Sequence, residues 1–206
     1  MFLDAPRGMR DPAVRSQRLK MLGLSRIAPL REWSAGITVT TGKLLPEFDP
    51  ADGGLDSHSL ILHGWISTPL SEAPTGPDLL SVDNDSDTAE FMWRMREETG
   101  LQQGTAMHWR VVPWYLETPP QEPEDVSRAD IRDGSAYLME LLFKLPKLET
   151  VLLCGEVPRR AWAEFIAPLT NQFTVIETVD AYAAIASPTV AAELRSAFER
   201  AARRTF

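Results

Sequence analysis

A single basic residue, Arg110, stands inside an apolar and aromatic run that covers residues 107–119. Val111 and Val112 favour a buried strand because they are β-branched, and Pro113 ends the run because it cannot donate to a sheet. The aromatic side chains of this stretch include Trp109, Trp114 and Tyr115. A buried strand that gives way to a proline-rich loop predicts chain that leaves a sheet edge and forms the rim of a pocket. We expect ligand chemistry here, because open α/β sheets bind ligands beyond the carboxyl ends of their strands.

The histidines and the cysteine limit the other chemistry that the chain can carry. His58, His63 and His108 lack the spacing of metal ligands, and the last two lie near opposite ends of their predicted strands without a shared site. The single cysteine, Cys154, excludes an internal disulfide and a four-cysteine cluster, and we predict that it is buried. No phosphate loop, dinucleotide fingerprint or nucleophile elbow occurs, and Ser187 before a proline is typical of a helix start. We therefore expect no metal and no cofactor.

Apolar runs alternate with amphipathic segments along the chain. Buried strands are predicted over 59–65, 107–112, 150–157 and 172–179, and helices over 87–99, 127–145, from Pro158 onwards and over 189–204. Two shorter helices, over 11–22 and 24–33, precede them, and 44–56 and 67–85 are predicted loops. Strands too apolar to have a solvent face indicate a parallel sheet that is covered on both sides. The predicted fold is a three-layer α/β/α sandwich with a central four-stranded parallel sheet, preceded by N-terminal helices, in one domain (1–206) with 1–36 as a helical extension.

The composition is that of a globular protein, with 206 residues, 44% hydrophobic and 24% charged. No apolar run approaches the roughly 20 residues that span a bilayer, and the N-terminus has no apolar signal-peptide core. We therefore expect a cytoplasmic protein that is not in a membrane. The net charge of −8 argues against a basic coat for nucleic acid.

The charge is unevenly distributed along the chain. Residues 1–31 hold seven Lys and Arg against two Asp, whereas 47–87 is strongly acidic. The last predicted helix adds the four arginines Arg195, Arg200, Arg203 and Arg204. Two interpretations stay open, solvated helix faces or a local surface at the two ends of the chain that binds DNA phosphates in a salt-dependent way.

Several segments, in order, resemble the uracil-DNA glycosylase superfamily, in particular its bacterial uracil-DNA-glycosylase-like branch. They are LLPEFDPADGGLDS at 44–57, SVDNDSDTAEFMWRMREETG at 81–100, WRVVPWY at 109–115, VLLCGEVPRRAW at 151–162 and IASP at 185–188. The resemblance covers most of the chain and implies a four-stranded parallel sheet. It also implies a pocket at the carboxyl edge that receives a base flipped out of DNA, whose N-glycosidic bond is hydrolysed.

The chain departs from this family at each position that the chemistry needs. The turn after the first strand (63–67) contains no carboxylate or amide to position water, and Arg110 stands where the family has an asparagine. The histidine and first proline of the family's HPSP motif correspond to Ile185 and Ala186, and only Ser187 and Pro188 match. The resemblance therefore implies a degenerate member that binds DNA, a nucleobase or a partner without ordinary uracil excision.

Two alternatives stay open beside this interpretation. In the first, a divergent DNA glycosylase uses Arg110 to stabilise the leaving base and His63 to position water or transfer a proton. In the second, the fold is a module that binds a protein partner or a small molecule. The residues expected to contact a substrate are Trp65, Ser67, Asn84, Trp109, Trp114 and Ser187. The same side chains also have structural interpretations: Arg110 paired with Asp83, Asp85 or Asp87, His63 hydrogen-bonded in the core, and the tryptophans as core or pocket wall.

Overall fold

A four-stranded parallel sheet forms the centre of the protein, in a computed structural model that describes residues 3–73 and 76–204. The strands in chain order are β1 (Glu47–Phe48), β2 (Ser59–His63), β3 (Leu79–Leu80), β4 (Ala106–Arg110), β5 (Thr150–Cys154) and β6 (Thr174–Thr178). The central sheet has the order β4-β2-β5-β6, and Ser59 lies opposite both Ala106 and Thr150. The short strands β1 and β3 form a separate parallel pair within segments that were predicted to be loops. The predicted four-stranded parallel sheet is confirmed.

Helices cover both faces of this sheet. They are α1 (Pro12–Lys20), α2 (Ala28–Thr41), α3 (Asp87–Thr99), α4 (Arg128–Lys144), α5 (Glu156–Ala161), α6 (Ala181–Ala186) and α7 (Pro188–Ala202), with a π-helical turn (Trp162–Ile166) after α5. Leu60 and Leu62 of β2 point to one face and pack with apolar residues of α2, α4 and α5. Ile61 points to the other face and packs with α3, α6 and α7. The predicted three-layer α/β/α sandwich is therefore confirmed.

Two helix boundaries differ from the prediction for local reasons. The second helix runs over Ala28–Thr41 instead of 24–33, because Pro29 occupies its first turn, where a missing N–H costs no hydrogen bond. Gly42 ends it in the left-handed region, with φ at 70°. The N-terminal helical region therefore extends past residue 36. Helix α3, in contrast, has its predicted bounds, and its N-cap is Ser86, whose hydroxyl accepts from the Ala89 N–H.

A buried arginine attaches the N-terminal helices to the rest of the domain. Arg18 of α1 is only 2% exposed, and its guanidinium donates to Asp49 and to Asp83, each at 2.7 Å. Around this ion group the chain buries a small apolar cluster, made by Met9, Leu22, Ile27 and Leu79. None of the helices within residues 3–73 and 76–204 combines the length and the apolar composition that crossing a membrane requires.

Candidate functional site

The sheet brings His63 and Arg110 together at its carboxyl edge. They are the last residues of β2 and β4, and the register of these neighbouring strands pairs them directly. From the end of β2 the chain passes through α3 to β4 on one side, whereas from the end of β5 it passes through α5 to β6 on the other side. Ligands of open α/β sheets bind at such a point, where neighbouring connections leave in opposite directions. This point lies between the ends of β2 and β5, so His63 borders it and Arg110 lies one strand further out. That these residues form a ligand site stays a prediction.

Hydrogen bonds close the turn after β2 against the segment after β4. The Val111 N–H donates to the His63 carbonyl and the Val112 N–H donates to the Gly64 carbonyl, both at 2.9 Å. The Arg110 guanidinium donates through Nη1 to the Trp65 carbonyl. Val111 and Val112 lie beyond β4 itself, yet both are fully buried. The two strand ends are thus bound together for several residues past the regular sheet.

Arg110 carries a positive charge that no described carboxylate pairs with. The predicted ion pair with Asp83, Asp85 or Asp87 is wrong, because these three carboxylates are bound by other arginines, namely Arg18, Arg7 and Arg10. Within the described residues, the Nε–H of Arg110 is buried without a hydrogen-bond partner. Burial lowers the pKa of Arg110 to about 10, so the group stays cationic at neutral pH. An unpaired guanidinium with a free donor is suited to an anionic ligand.

His63 and His108 form a hydrogen-bonded pair, contrary to the expectation that they share no site. His63 Nε2 lies 3.1 Å from His108 Nδ1, and the two rings stack with centroids 5.4 Å apart. The register explains this, because Ile61 lies opposite His108 and therefore His63 is its diagonal neighbour on the same face. The sequence alone could not predict this register.

Burial keeps this histidine pair neutral. It lowers the pKa of His63 well below its usual value, and the neighbouring His108 and Arg110 lower it further. It also lowers the pKa of His108 to about 3, with Arg96 and Arg110 adding to the effect. A neutral pair can share only one proton along its common hydrogen bond. His63 is therefore a poor acid–base group near neutral pH.

The depressed pKa values of the pair predict a loss of stability in mild acid. An unfolded histidine binds a proton below about pH 6.5, whereas the folded pair resists protonation, so acid favours the unfolded chain. Between pH 6.5 and 5 each of the two histidines should lower the free energy of unfolding by up to about 1.4 kcal/mol per pH unit. Urea denaturation of the wild type and of His63→Gln across this range measures the difference. Equal slopes for the two proteins would contradict the prediction.

Trp65 and Ser67, both predicted to contact substrate, follow β2, and Trp65 contacts Arg110. Trp65 is partly buried and its carbonyl receives Arg110, whereas Ser67 is exposed on the segment that follows. Asn84 donates through Nδ2 to the Leu79 carbonyl at 2.8 Å, a contact that fixes the chain before α3. Of the predicted set, the structure therefore brings together the side chains of His63 and Arg110, whereas Trp65 contributes only its backbone carbonyl and its side chain packs against the core cluster that contains Trp109.

The remaining predicted residues lie elsewhere. Trp109 is fully buried on the opposite face of the sheet, where its ring stacks on Phe48 at 4.8 Å. Trp114 lies further along, buried beside Lys43 and α4. Ser187 separates α6 from α7, beyond β6, which is the strand at the other edge of the sheet from β4. Their roles in binding stay predictions, and the structure does not gather them around Arg110.

Two polar residues near the histidine pair escaped sequence reasoning. Asp52 is buried and accepts from the His108 backbone N–H and from Gln103, each at 3.3 Å, and burial raises its pKa well above the usual value. Arg96 of α3 is also buried and donates to Glu97 at 3.0 Å. Asp52 stands in a proline–aspartate–glycine segment that reads as an ordinary turn, so no local signal marked it.

The chemistry expected of the other reactive groups is limited. Cys154 is free and buried, as predicted, and burial raises the pKa of its thiol. Within the part of the chain that the structure describes, no three His, Cys, Asp or Glu side chains are grouped as metal ligands. What the carboxyl edge offers is one unpaired cation and a neutral imidazole pair, a set suited to binding an anion.

Comparison of the sequence with models of known protein families finds no match, and comparison with curated proteins finds no relative. The relation to uracil-DNA glycosylases therefore stays a prediction that rests on the sequence segments themselves.

Proposed function

We propose that this protein is a uracil-DNA-glycosylase-like module that binds a nucleotide-class ligand, DNA or a nucleobase compound, without excising uracil. The observation that carries the proposal is the closed strand-end turn at residues 63–65, held to residues 110–112 by backbone hydrogen bonds and by Arg110. Ordinary excision needs a group that positions water at this turn, and residues 63–67 contain no carboxylate or amide. The protein would therefore bind such a ligand without hydrolysing its N-glycosidic bond.

The charge distribution supports Arg110, ahead of the chain termini, as the group that meets the anion. Arg7, Arg10 and Arg31 of the N-terminal region are already in ion pairs with carboxylates of the acidic middle. Just after the last helix, Arg204 donates to Thr174 at 3.2 Å, which places it near the start of β6 at the amino edge of the sheet. The terminal arginines would therefore add only a secondary, salt-sensitive contribution to DNA binding.

An oligonucleotide assay tests this function. A fluorescein-labelled strand with a single uracil, alone and in a duplex, should stay intact after long incubation and alkali treatment. Binding measured by anisotropy should weaken with salt, and Arg110→Gln should weaken it about tenfold or more, because a charge-assisted hydrogen bond is lost.

Arg132→Gln is a matched control, because Arg132 is exposed and bonded only to its neighbour Asp133 in the described structure. It should leave binding within about twofold of the wild type, as expected for a surface charge. Abasic sites that disappear in Arg110→Gln would overturn the proposal, as would equal binding by the two variants. Circular dichroism checks that Arg110→Gln is folded.

A divergent glycosylase is the second candidate, and the free Nε–H of Arg110 favours it. A buried, unpaired guanidinium is the kind of group that stabilises a base leaving as an anion. The neutral His63 gives this candidate a hydrogen-bonding group for water. Its test is abasic-site formation on hypoxanthine, xanthine and thymine-mismatch substrates, lost in Arg110→Ala while the protein stays folded. Intact substrates throughout would remove this candidate.

A further inference from the structure

A groove of about 360 Å³ lies away from the carboxyl-edge site, between the C-terminal end of α2 and the outer side of α4. Its lining includes Lys43, Trp114, Asp133, Tyr137 and Glu140. This volume is within the range of small-ligand sites, and it suffices for the head of a long side chain. Neither the sheet edge nor the histidine pair contributes to the lining.

Two aromatic rings form a corner in this groove. Trp114 and Tyr137 are 6.5 Å apart, with their planes at 89°. The ammonium of Lys43 lies over the Trp114 ring, 3.6 Å from its centroid. The chain thus fills the aromatic corner with a cation of its own, in the geometry by which aromatic rings attract ammonium groups.

The groove is also lined by more acid than base. Asp133 and Glu140 stand on α4 against the single cation, Lys43. Each acid has one described neighbour that donates to it, Arg132 for Asp133 at 2.8 Å and Trp33 for Glu140 at 2.8 Å. A carboxylate has two oxygens and can accept several hydrogen bonds, so these contacts do not exhaust either group.

Apart from its contact with the Trp114 ring, Lys43 makes only weak interactions with the described residues. Its only described ion pair is to Asp130 at 3.5 Å, and the two side chains are 38% and 28% exposed. Exposed pairs of this kind contribute about 0–1 kcal/mol. An incoming cation therefore competes mainly with the contact between the Lys43 ammonium and the Trp114 ring.

We propose that this groove binds a lysine or arginine side chain from a basic segment of a partner protein, in the place on Trp114 that Lys43 now occupies. The aromatic corner supplies the ring face and the carboxylates of Asp133 and Glu140 supply the opposite charge. Lys43 acts as an internal competitor that keeps the ring covered until the partner arrives. This site is independent of the function proposed for the carboxyl edge.

The test uses the whole chain labelled with 5-fluorotryptophan, and the ¹⁹F resonance of Trp114 is assigned from a Trp114→Phe variant. Tetralysine peptide should shift this resonance in a saturable way, and tetraglutamate should not. Lys43→Met should tighten tetralysine binding about threefold to tenfold, because it removes the competing cation. Asp133→Asn with Glu140→Gln should weaken it about tenfold, since two attractive charges are lost.

A surface double variant, Glu122→Gln with Glu124→Gln, removes the same charge from a loop that does not line the groove. It should bind tetralysine like the wild type. The proposal is overturned if tetralysine leaves the Trp114 resonance in place, or if the two double variants bind equally. Spermidine distinguishes a free polyamine from a side chain on a peptide, and binding of spermidine without tetralysine would overturn the partner assignment.

Discussion

Arg18→Met is expected to lower the free energy of unfolding by about 3–5 kcal/mol, the usual cost of breaking a buried ion pair from one side. The guanidinium of Arg18 bonds both Asp49 and Asp83 at 2.7 Å, and all three side chains are buried. Without Arg18 two carboxylates stay in a low-dielectric interior without a cation. Chemical denaturation at pH 7 measures the loss.

The penalty should depend on pH in a definite direction. Burial already raises the pKa of Asp83 despite the opposing effect of Arg18, and removal of the arginine raises it further. A raised pKa favours folding at low pH and disfavours it as the pH rises through that value, so the deficit of the variant should narrow on acidification.

Arg10→Met is the matched control for this prediction. Arg10 bonds Asp85 at 2.7 Å on the surface, and its loss should leave the free energy of unfolding close to that of the wild type, because water screens an exposed pair. The double variant Arg18→Met with Asp83→Asn should cost less than the two single variants together, because one stranded charge is gone. A loss for Arg18→Met no larger than that for Arg10→Met would show that the buried ion group does not hold the N-terminal helices.

Gly134→Ala is expected to destabilise the protein by about 3 kcal/mol, although alanine is the better helix former. A Cβ at position 134, inside α4, would lie 1.9 Å from the carbonyl oxygen of Val111. That oxygen belongs to backbone that is bound to the turn after β2, so it cannot move without disturbing the ends of β2 and β4. Helix α4 can therefore lie this close to Val111 only because residue 134 has no side chain.

Gly36→Ala in α2 is the opposite case and serves as the control. Gly36 is exposed, and a Cβ there would have no neighbour within 4 Å among the described residues. The substitution should raise the free energy of unfolding by about 0.5–1 kcal/mol, the ordinary gain from alanine inside a helix. If both variants change stability in the same direction, the contact with Val111 does not limit α4.

Local sequence predicted the fold well where a helix or strand depends on its own residues. The fourth helix was expected over 127–145 and lies over Arg128–Lys144, because the Ser127 hydroxyl caps it and its apolar spacing faces the sheet. The second helix was predicted over 24–33, too early and too short, whereas Pro29 stands in the first turn of the observed helix and Gly42 ends it. The strands β1 and β3 were not predicted, because a two-residue strand is too short to produce a hydrophobic periodicity in the sequence.

The candidate site was predictable only in part. Its position followed from the strand ends that carry His63 and Arg110, and the register of β2 and β4 places the two residues opposite each other. The groups that these two residues contact could not be predicted from the sequence. Arg110 meets the Trp65 carbonyl instead of an aspartate, and Asp83 and Asp85 are occupied by arginines from the N-terminal region.

The sequence by itself determined the alternation of strands and helices, the parallel sheet and the absence of a carboxylate or amide at residues 63–67. Only the tertiary structure decided that no carboxylate of residues 3–73 and 76–204 forms an ion pair with Arg110, that its Nε–H is buried without a partner there, and that His63 bonds His108. The physical reason is that these contacts join residues far apart in the chain, so strand register and packing select them, whereas spacing along the sequence does not. The run around Arg110 therefore indicated where the candidate site lies, and the fold determined which groups Arg110 and His63 contact.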